Sequence, residues 1–169
     1  MMLCLCGSKQ NENACCKRIV EGSRVANFPE QLMRSRYYSY AVKNVNYLCN
    51  TYTSPQKVAS LKADISAWCQ QTQWLKLVIH DAENISREEF MQRASNAQSS
   101  LLPTVTFSAF FIVDNVYCQM SEKSRFTVED NQWRYESGDV IEQIEIAKLT
   151  RNSPCPCESG KKYKRCCMR

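Results

Sequence analysis

Eight of the eleven cysteines lie in two groups near the ends of the chain, and the two groups have the same spacing. Each group is a Cys-x-Cys pair followed, after eight residues, by an adjacent Cys-Cys pair. The first group is Cys4, Cys6, Cys15 and Cys16, and the second is Cys155, Cys157, Cys166 and Cys167. Four thiolates are the ligand set of a closed tetrahedral zinc site. The repeated spacing therefore predicts two structural zinc sites, each without an open position for catalysis.

Two other uses of paired cysteines stay open at this level. A disulfide in each group would need an oxidising compartment, and the first residues lack the basic and apolar segments of a secretory signal. A redox-active dithiol usually has Cys-x-x-Cys spacing beside a βαβ unit, which neither end has. We therefore expect a cytoplasmic protein whose terminal cysteines bind zinc. Since no apolar run is long enough to cross a bilayer, we expect no membrane span.

The segments between the cysteine pairs contain turn residues, Gly7-Ser8 in the first group and Ser159-Gly160 in the second. The second segment is also basic, because residues 148–169 carry seven Lys or Arg side chains against one acidic residue. Zinc-bound thiolates would offset part of this charge. The rest could dock phosphates or an acidic protein surface. The candidate docking residues are Lys161, Lys162, Tyr163, Lys164 and Arg165.

The middle of the chain changes from a helical to a strand-like hydrophobic period. Three helices are predicted within 27–69, beginning at Pro29, after Asn44 and at Ser54-Pro55. A strand at 74–79 and a short helix capped by Ser86-x-x-Glu89 come next. Antiparallel strands follow at 104–113, at 117–128 and around Trp133, with turns between them. This order predicts an α+β domain in which helices pack on one face of a curved antiparallel sheet.

A curved sheet covered by helices often encloses a pocket, and several side chains are candidates for lining it. They are Arg34, Arg36, Tyr37, Tyr40, Glu122, Ser124 and Trp133. Ordinary burial tendencies favour a different interpretation, in which the aromatic residues form the core and the arginines form surface or structural ion pairs. His80 is the only histidine, and the sequence gives it no partner for general base catalysis. No catalytic residue is predicted.

Two resemblances extend these inferences. The run from Asn152 to Cys167 resembles the SEC-C motif, the zinc-binding tail also found on the SecA translocation motor, with Glu158 where glycine is usual. The N-terminal group keeps the cysteines of this motif but lacks its second glycine and most of its basic residues. The middle resembles the YchJ-like family of uncharacterised bacterial proteins through the segments 32–37, 122–126 and 133–138.

These resemblances imply zinc as the cofactor and a nuclear-transport-factor-two-like (cystatin-like) cone as the fold. With the cysteine spacing, they divide the chain into a zinc knuckle at 1–22, a central domain at 27–147 and a second knuckle at 150–169. They imply a non-enzymatic protein whose knuckles bind another protein, for example of the export or translation machinery. The alternative is a small-molecule-binding protein or an enzyme that uses the pocket of the cone. Nucleic-acid binding ranks last, because Tyr163 is the only aromatic residue in the basic segment.

Overall fold

The computed structural model describes residues 2–95 and 101–168, which form helices and one four-stranded sheet. The helices are α1 (Cys16–Val20), α2 (Pro29–Ala41), α3 (Val45–Asn50), α4 (Leu61–Gln71) and α5 (Arg87–Ser95). The strands are β1 (Thr72–Ala82), β2 (Thr104–Val113), β3 (Val116–Glu129) and β4 (Gln132–Lys148). Three short 3₁₀ turns cover Glu12–Ala14, Ser54–Gln56 and Tyr163–Arg165. No helix in these ranges has both the length and the apolar character that a bilayer crossing requires.

The sheet is an antiparallel meander in the order β1-β2-β3-β4. Tight turns at Asp114-Asn115 and Asp130-Asn131 join the last three strands, and all four turn residues have positive φ angles. Asp and Asn tolerate this conformation, which matches the twist of a hairpin. Strand β4 is three residues longer than β3 (17 against 14), and three register shifts absorb the difference. Such shifts bend a sheet, so the predicted curvature has a local cause.

Two of the three predicted helix starts agree with the structure and the third does not. Pro29 lies in the first turn of α2, and the Asn44 side chain accepts a hydrogen bond from the backbone of α3. Ser54-Pro55 begins only a 3₁₀ turn, and α4 starts later, at Leu61. The backbone N–H and hydroxyl of Ser54 both donate to the carboxylate of Glu129. This tertiary contact holds the turn against β3 instead of letting a helix continue.

The predicted capping box at α5 is present. The Ser86 hydroxyl accepts a hydrogen bond from the backbone N–H of Glu89, and a Glu89 carboxylate oxygen accepts from the backbone N–H of Ser86. The second bond, at 2.8 Å, also lowers the pKa of the Glu89 carboxyl. Together they satisfy two of the amide donors that a helix leaves unpaired at its start.

The core lies between the concave face of the sheet and α2. Alternate residues of β2 point into it, namely Val105, Phe107, Ala109 and Phe111. Leu32, Met33 and Tyr37 of α2 pack in one cluster with the first three, and Phe111 packs on Trp68 and Trp74. Helices on one face of a curved antiparallel sheet are the α+β arrangement that the sequence predicts, so the fold class is confirmed.

Candidate metal centres and central cavity

The first cysteine group brings four sulfur atoms within 4.8 Å of one another. Cys15 Sγ lies 3.6 Å from Cys6 Sγ and 3.8 Å from Cys16 Sγ. A tetrahedral zinc ion with Zn–S bonds of about 2.3 Å places its sulfur ligands about 3.8 Å apart. A disulfide would require a separation of about 2 Å, and all four thiols are free. The spacing therefore fits one metal ion held by Cys4, Cys6, Cys15 and Cys16.

The second group has the same geometry. Cys157 Sγ lies 3.3 Å from Cys155 Sγ and 3.4 Å from Cys166 Sγ, and Cys166 Sγ lies 3.9 Å from Cys167 Sγ. All four sulfurs again lie within 4.8 Å of one another. The residues that the spacing predicts as ligands are thus brought together at both ends.

The two groups also share one backbone path. An antiparallel bridge closes each loop, between Leu3 and Asn11 in one and between Pro154 and Lys162 in the other. A 3₁₀ turn precedes the adjacent cysteine pair in both copies. The repeated spacing in the sequence therefore reflects a repeated structure, although the segments between the cysteines differ in composition.

Each loop contains two residues in the left-handed region, at equivalent positions. They are Gly7 (φ 75°) and Lys9 (φ 60°) in the first copy, and Glu158 (φ 61°) and Gly160 (φ 73°) in the second. Glycine adopts this conformation without the steric cost that other residues have. Each copy has glycine at one of the two positions and accepts strain at the other. Glu158 thus adopts the left-handed conformation at a place where glycine is usual in the motif.

A serine lies beside each cysteine group, at positions that the sequence predicted only as turn residues. Ser8 Oγ lies 3.3 Å from Cys15 Sγ, and Ser159 Oγ lies 3.3 Å from Cys166 Sγ. Both serines occupy the same place in the repeat, which is the signal that could have found them. A hydroxyl donor at this distance stabilises negative charge on the neighbouring sulfur.

The two groups differ in their surroundings. Cys6 and Cys16 are 0% and 1% exposed and belong to the main core, next to α2 and β1. The backbone carbonyl of Cys6 accepts a hydrogen bond of 2.7 Å from Nη1 of Arg34. Arg34 was predicted to line the pocket of the cone, but it lines an opening of about 500 Å³ beside the first cysteine loop and not the cavity between α2 and the sheet. Its side chain binds the first cysteine loop and Glu30 instead.

The second group lies on the outer face of the sheet. Cys155 and Tyr163 pack with Ile112 there, and the Tyr163 hydroxyl donates to Asn115 Oδ1 at 3.1 Å. Three of its four cysteines are only partly buried. A salt bridge of 3.2 Å between Lys76 and Glu158 adds a contact at the exposed rim. This knuckle is attached to the domain rather than built into its core.

The thiols of the first group have strongly divided proton affinities. A hydrogen bond from Cys16 lowers the pKa of Cys6 to about 4, whereas burial raises the pKa of Cys4 to about 11. The pKa of Cys16 is raised, first by its hydrogen bond to Cys6 and then by burial. The group therefore ionises one thiol easily and resists further negative charge. Four thiolates at this spacing need a cation between them, which is the role of a bound metal ion.

The second group shows the same division. Burial opposes ionisation of Cys157, but hydrogen bonds from Ser159 and Cys155 lower its pKa to about 6. Burial raises the pKa of Cys167. A metal ion would again be needed to hold all four sulfurs as thiolates.

A separate cavity of about 220 Å³ lies between α2 and the concave face of the sheet. Five of the predicted pocket residues line it: Arg36, Tyr37, Tyr40, Glu122 and Ser124. Seven further residues line it that the sequence did not predict: Met33, Tyr52, Trp68, Trp74, Phe107, Met120 and Tyr135. Tyr52 and Trp68 come from segments outside α2 and the sheet, so no periodic pattern could assign them to this cavity.

Trp133, also predicted for the pocket, lies elsewhere. It pairs with Val128 next to the turn of the β3–β4 hairpin, where its ring packs on Phe90 of α5. Its indole N–H donates to the backbone carbonyl of Asn27 at 3.0 Å. Val128 is six residues along β3 from the cavity-lining Glu122, which is about 20 Å of strand. The tryptophan is 2% exposed and is a core residue.

The predicted docking residues divide into two sets. Lys161, Lys162 and Arg165 are exposed, and Lys164 is half-buried. Tyr163 is 4% exposed and faces the sheet, so its side chain is not part of the exposed surface of the knuckle. Its ring and hydroxyl hold the knuckle on the domain.

Fold and sites together define an NTF2-like α+β domain that carries a cysteine group able to hold a metal ion at each end. The family model described as "YchJ, middle NTF2-like domain" matches residues 28–138, and the chain belongs to this family. The SEC-C motif matches residues 151–169.

Two solved structures are similar to this chain. A SEC-C motif containing protein from Rhodopseudomonas palustris has 25% identity and a TM-score of 0.69, over 83% of this chain and all of that one. A SEC-C motif containing protein from Psychrobacter arcticus has 21% identity and a TM-score of 0.61, over 99% of this chain and 96% of that one. The second likeness shows that the fold extends over nearly the whole length of both chains.

Proposed function

We propose that the chain is a zinc protein of a reducing compartment such as the cytoplasm, with one structural zinc ion in each cysteine group. The main support for this proposal is that each group holds four sulfurs within 4.8 Å of one another, at the spacing expected around a single tetrahedral ion. Four sulfur ligands favour zinc or iron–sulfur chemistry over harder metals. Since four thiolates fill a tetrahedral shell, the metal has no free position for a substrate.

Metal content of protein purified under reducing conditions without chelator tests this proposal. Two zinc ions per chain are expected, with eight thiols that react only after a chelator is added. Cys16→Ser and Cys167→Ser should each leave one zinc ion, because each removes a ligand from a different group. Metal-free protein with oxidised cysteines, or protein that contains iron instead, would reject zinc as the cofactor.

We further propose that the C-terminal knuckle binds an acidic surface of another protein. Lys161, Lys162 and Arg165 are exposed on a knuckle that Tyr163 fixes to the sheet, so their positions are set relative to the domain. The N-terminal knuckle has few basic residues and contributes to the core instead. The resemblance to the SecA tail favours a partner in the export or translation machinery.

A nucleic-acid partner has less support. Binding of single strands usually relies on aromatic side chains that stack on bases, and Tyr163 is turned towards the sheet. The formal net charge is +5, and each zinc with four thiolates would change it by −2, which leaves about +1 (5 − 2 − 2). So low a net charge gives little general attraction to a polyanion.

Charge reversal with a matched control tests the docking face. The test variant carries Lys161→Glu, Lys162→Glu and Arg165→Glu. The control carries Lys57→Glu, Lys62→Glu and Arg93→Glu, three exposed positions outside the knuckle that give the same change in net charge.

Cross-linking mass spectrometry in the cell of origin, with a cross-linker that does not react through lysine, would compare the two variants with the wild type. Cross-links from the knuckle to one protein, kept by the control and lost by the test variant, are expected. Cross-links that nuclease treatment removes would assign the face to nucleic acid. Equal cross-linking of both variants would reject this surface as the docking site.

A further inference from the structure

The central cavity contains a buried arginine that lacks an acidic partner. Arg36 is 4% exposed and forms no ion pair with any carboxylate of the described residues. Its two hydrogen bonds within this part of the chain both leave from Nη1, to the carbonyl of Leu48 and the hydroxyl of Thr51. A buried charge is costly unless it is paired, so the free Nε–Nη2 edge needs an acceptor.

The guanidinium is also held rigidly. Its central carbon lies 4.5 Å from the ring centre of Tyr52 and 4.5 Å from that of Tyr135. The two ring centres are 5.2 Å apart, so both rings lie on the same side of the guanidinium, and the bonds from Nη1 occupy one edge. The Nε–Nη2 edge makes no hydrogen bond within the described residues, and it has the geometry that binds a carboxylate through two parallel hydrogen bonds.

A second polar group, Glu122, lines the same cavity. Its Oε1 atom accepts hydrogen bonds from the hydroxyls of Ser124, at 2.5 Å, and Tyr135, at 3.1 Å. Its Oε2 atom accepts no hydrogen bond from a described residue. A carboxylate oxygen without a partner can accept a hydrogen bond from a hydroxyl or amine group. The cavity therefore offers a cation at Arg36 and a hydrogen-bond acceptor at Glu122.

The remaining walls are apolar and mostly aromatic, with Trp68, Trp74, Phe107 and Met120 among them. An apolar cavity of about 150 Å³ is large enough for benzene. The 220 Å³ here therefore allow one six-membered ring with two small substituents. A long-chain acid would not fit, and inorganic phosphate would leave the aromatic walls without a contact.

We propose that this cavity binds a small ring carboxylate whose carboxylate pairs with Arg36 and whose ring packs on the aromatic walls. A hydroxyl or amine on the opposite side of the ring donates to Glu122. The proposal is independent of the metal sites, because neither cysteine group contributes a residue to the cavity.

Calorimetric titration with 4-hydroxybenzoate tests the charge requirement on wild-type protein. The matched neutral probe is 4-hydroxybenzamide, which has the same shape and lacks the anion. We expect saturable one-to-one binding of the acid, and binding of the amide on the order of ten- to a hundredfold weaker. Absence of saturable binding, or equal affinity for acid and amide, would overturn the proposal.

Two tryptophan variants locate the binding. Met120→Trp fills the cavity without removing a polar group and should abolish binding of 4-hydroxybenzoate. Gln119→Trp introduces the same side chain one position earlier on β3, on the opposite face of the sheet, and should leave binding unchanged. Binding that survives Met120→Trp would place the ligand elsewhere and refute the assignment.

Arg36→Lys then tests the proposed contact. Lysine keeps the positive charge but cannot form two parallel hydrogen bonds, so affinity should fall on the order of tenfold. Unchanged affinity in a folded variant would make Arg36 a structural residue that only links α2 to α3. If this variant does not fold, the comparison of acid with amide and the Met120→Trp result still decide the proposal.

Discussion

Removal of one cysteine ligand should have unequal effects on stability at the two ends of the chain. Cys16→Ser disrupts a group whose Cys6 and Cys16 are 0% and 1% exposed and lie in the main core. Cys167→Ser changes the equivalent ligand of the second group, where the side chain is only partly buried on the outer face of the sheet. Both variants should lose one metal ion, but only the first should destabilise the central domain.

The size of the effect follows from what the first knuckle covers. Without its metal, the N-terminal loop would no longer shield Leu32, Tyr38 and Leu77, which share its core cluster. Full burial of one such side chain contributes about 1.5–3 kcal/mol, so half-uncovering three costs roughly 2–4 kcal/mol. The total free energy of unfolding of a domain is about 5–15 kcal/mol. Cys16→Ser should therefore lower Tm by about 10 °C.

Tryptophan fluorescence and circular dichroism during urea and heat unfolding would measure this difference, with metal content determined on the same samples. Cys167→Ser should change the free energy of unfolding of the central domain by less than about 1 kcal/mol, a typical surface effect. Equal destabilisation by the two variants would refute the reasoning, and so would a larger effect of Cys167→Ser. Either result would mean that burial of the cysteines does not measure their coupling to the domain.

Three smaller effects follow from local geometry. Gly7→Ala should destabilise the protein more than Gly160→Ala in urea unfolding, because a Cβ at Gly7 lies 3.1 Å from the Leu77 carbonyl oxygen while one at Gly160 meets nothing within 4 Å. An equal loss of unfolding free energy in the two variants would contradict this. Glu158→Gly relieves a φ of 61° and, compared within a Lys76→Ala background so that the lost salt bridge does not contribute, should slow chelator extraction of the second metal, consistent with a gain of about 1 kcal/mol; faster extraction in that background would argue against strain at this site. The folded structure lowers the pKa of the Glu89 carboxyl, so Glu89 stabilises the protein above the pKa that this carboxyl has in the unfolded chain, and the stabilisation is lost as pH falls through its folded-state pKa. A Glu89→Gln variant with unchanged pH dependence of stability would show that this carboxylate does not contribute.

Several features could be predicted because they depend on short stretches of chain. The spacing of the cysteines restricts how four sulfurs can meet, and the structure brings together the same four at each end. The alternation in Thr104–Val113 and the turn residues Asp114-Asn115 specify a strand and a hairpin by local conformational preference. The SEC-C resemblance of the last residues is likewise a matter of local spacing.

Other features depend on packing between distant segments, and the sequence could not decide them. Arg34 and Arg36 both belong to α2, yet two residues correspond to about 200° around a helix, so they point in opposite directions. Arg34 therefore reaches the first cysteine loop, and Arg36 faces the cavity. Only the position of α2 against the sheet determines which arginine contacts the cysteine loop and which one lines the cavity.

The cysteine spacing by itself determined the two groups of candidate metal ligands, because the eight residues between the pairs are short enough to bring the four sulfurs together within one loop. The tertiary structure decided that the first group is part of the core and the second an attachment on the outer face. It also turned Tyr163 towards the sheet, where its hydroxyl donates to Asn115. Ligand geometry depends on neighbours along the chain, whereas burial depends on which surfaces meet after the chain has folded.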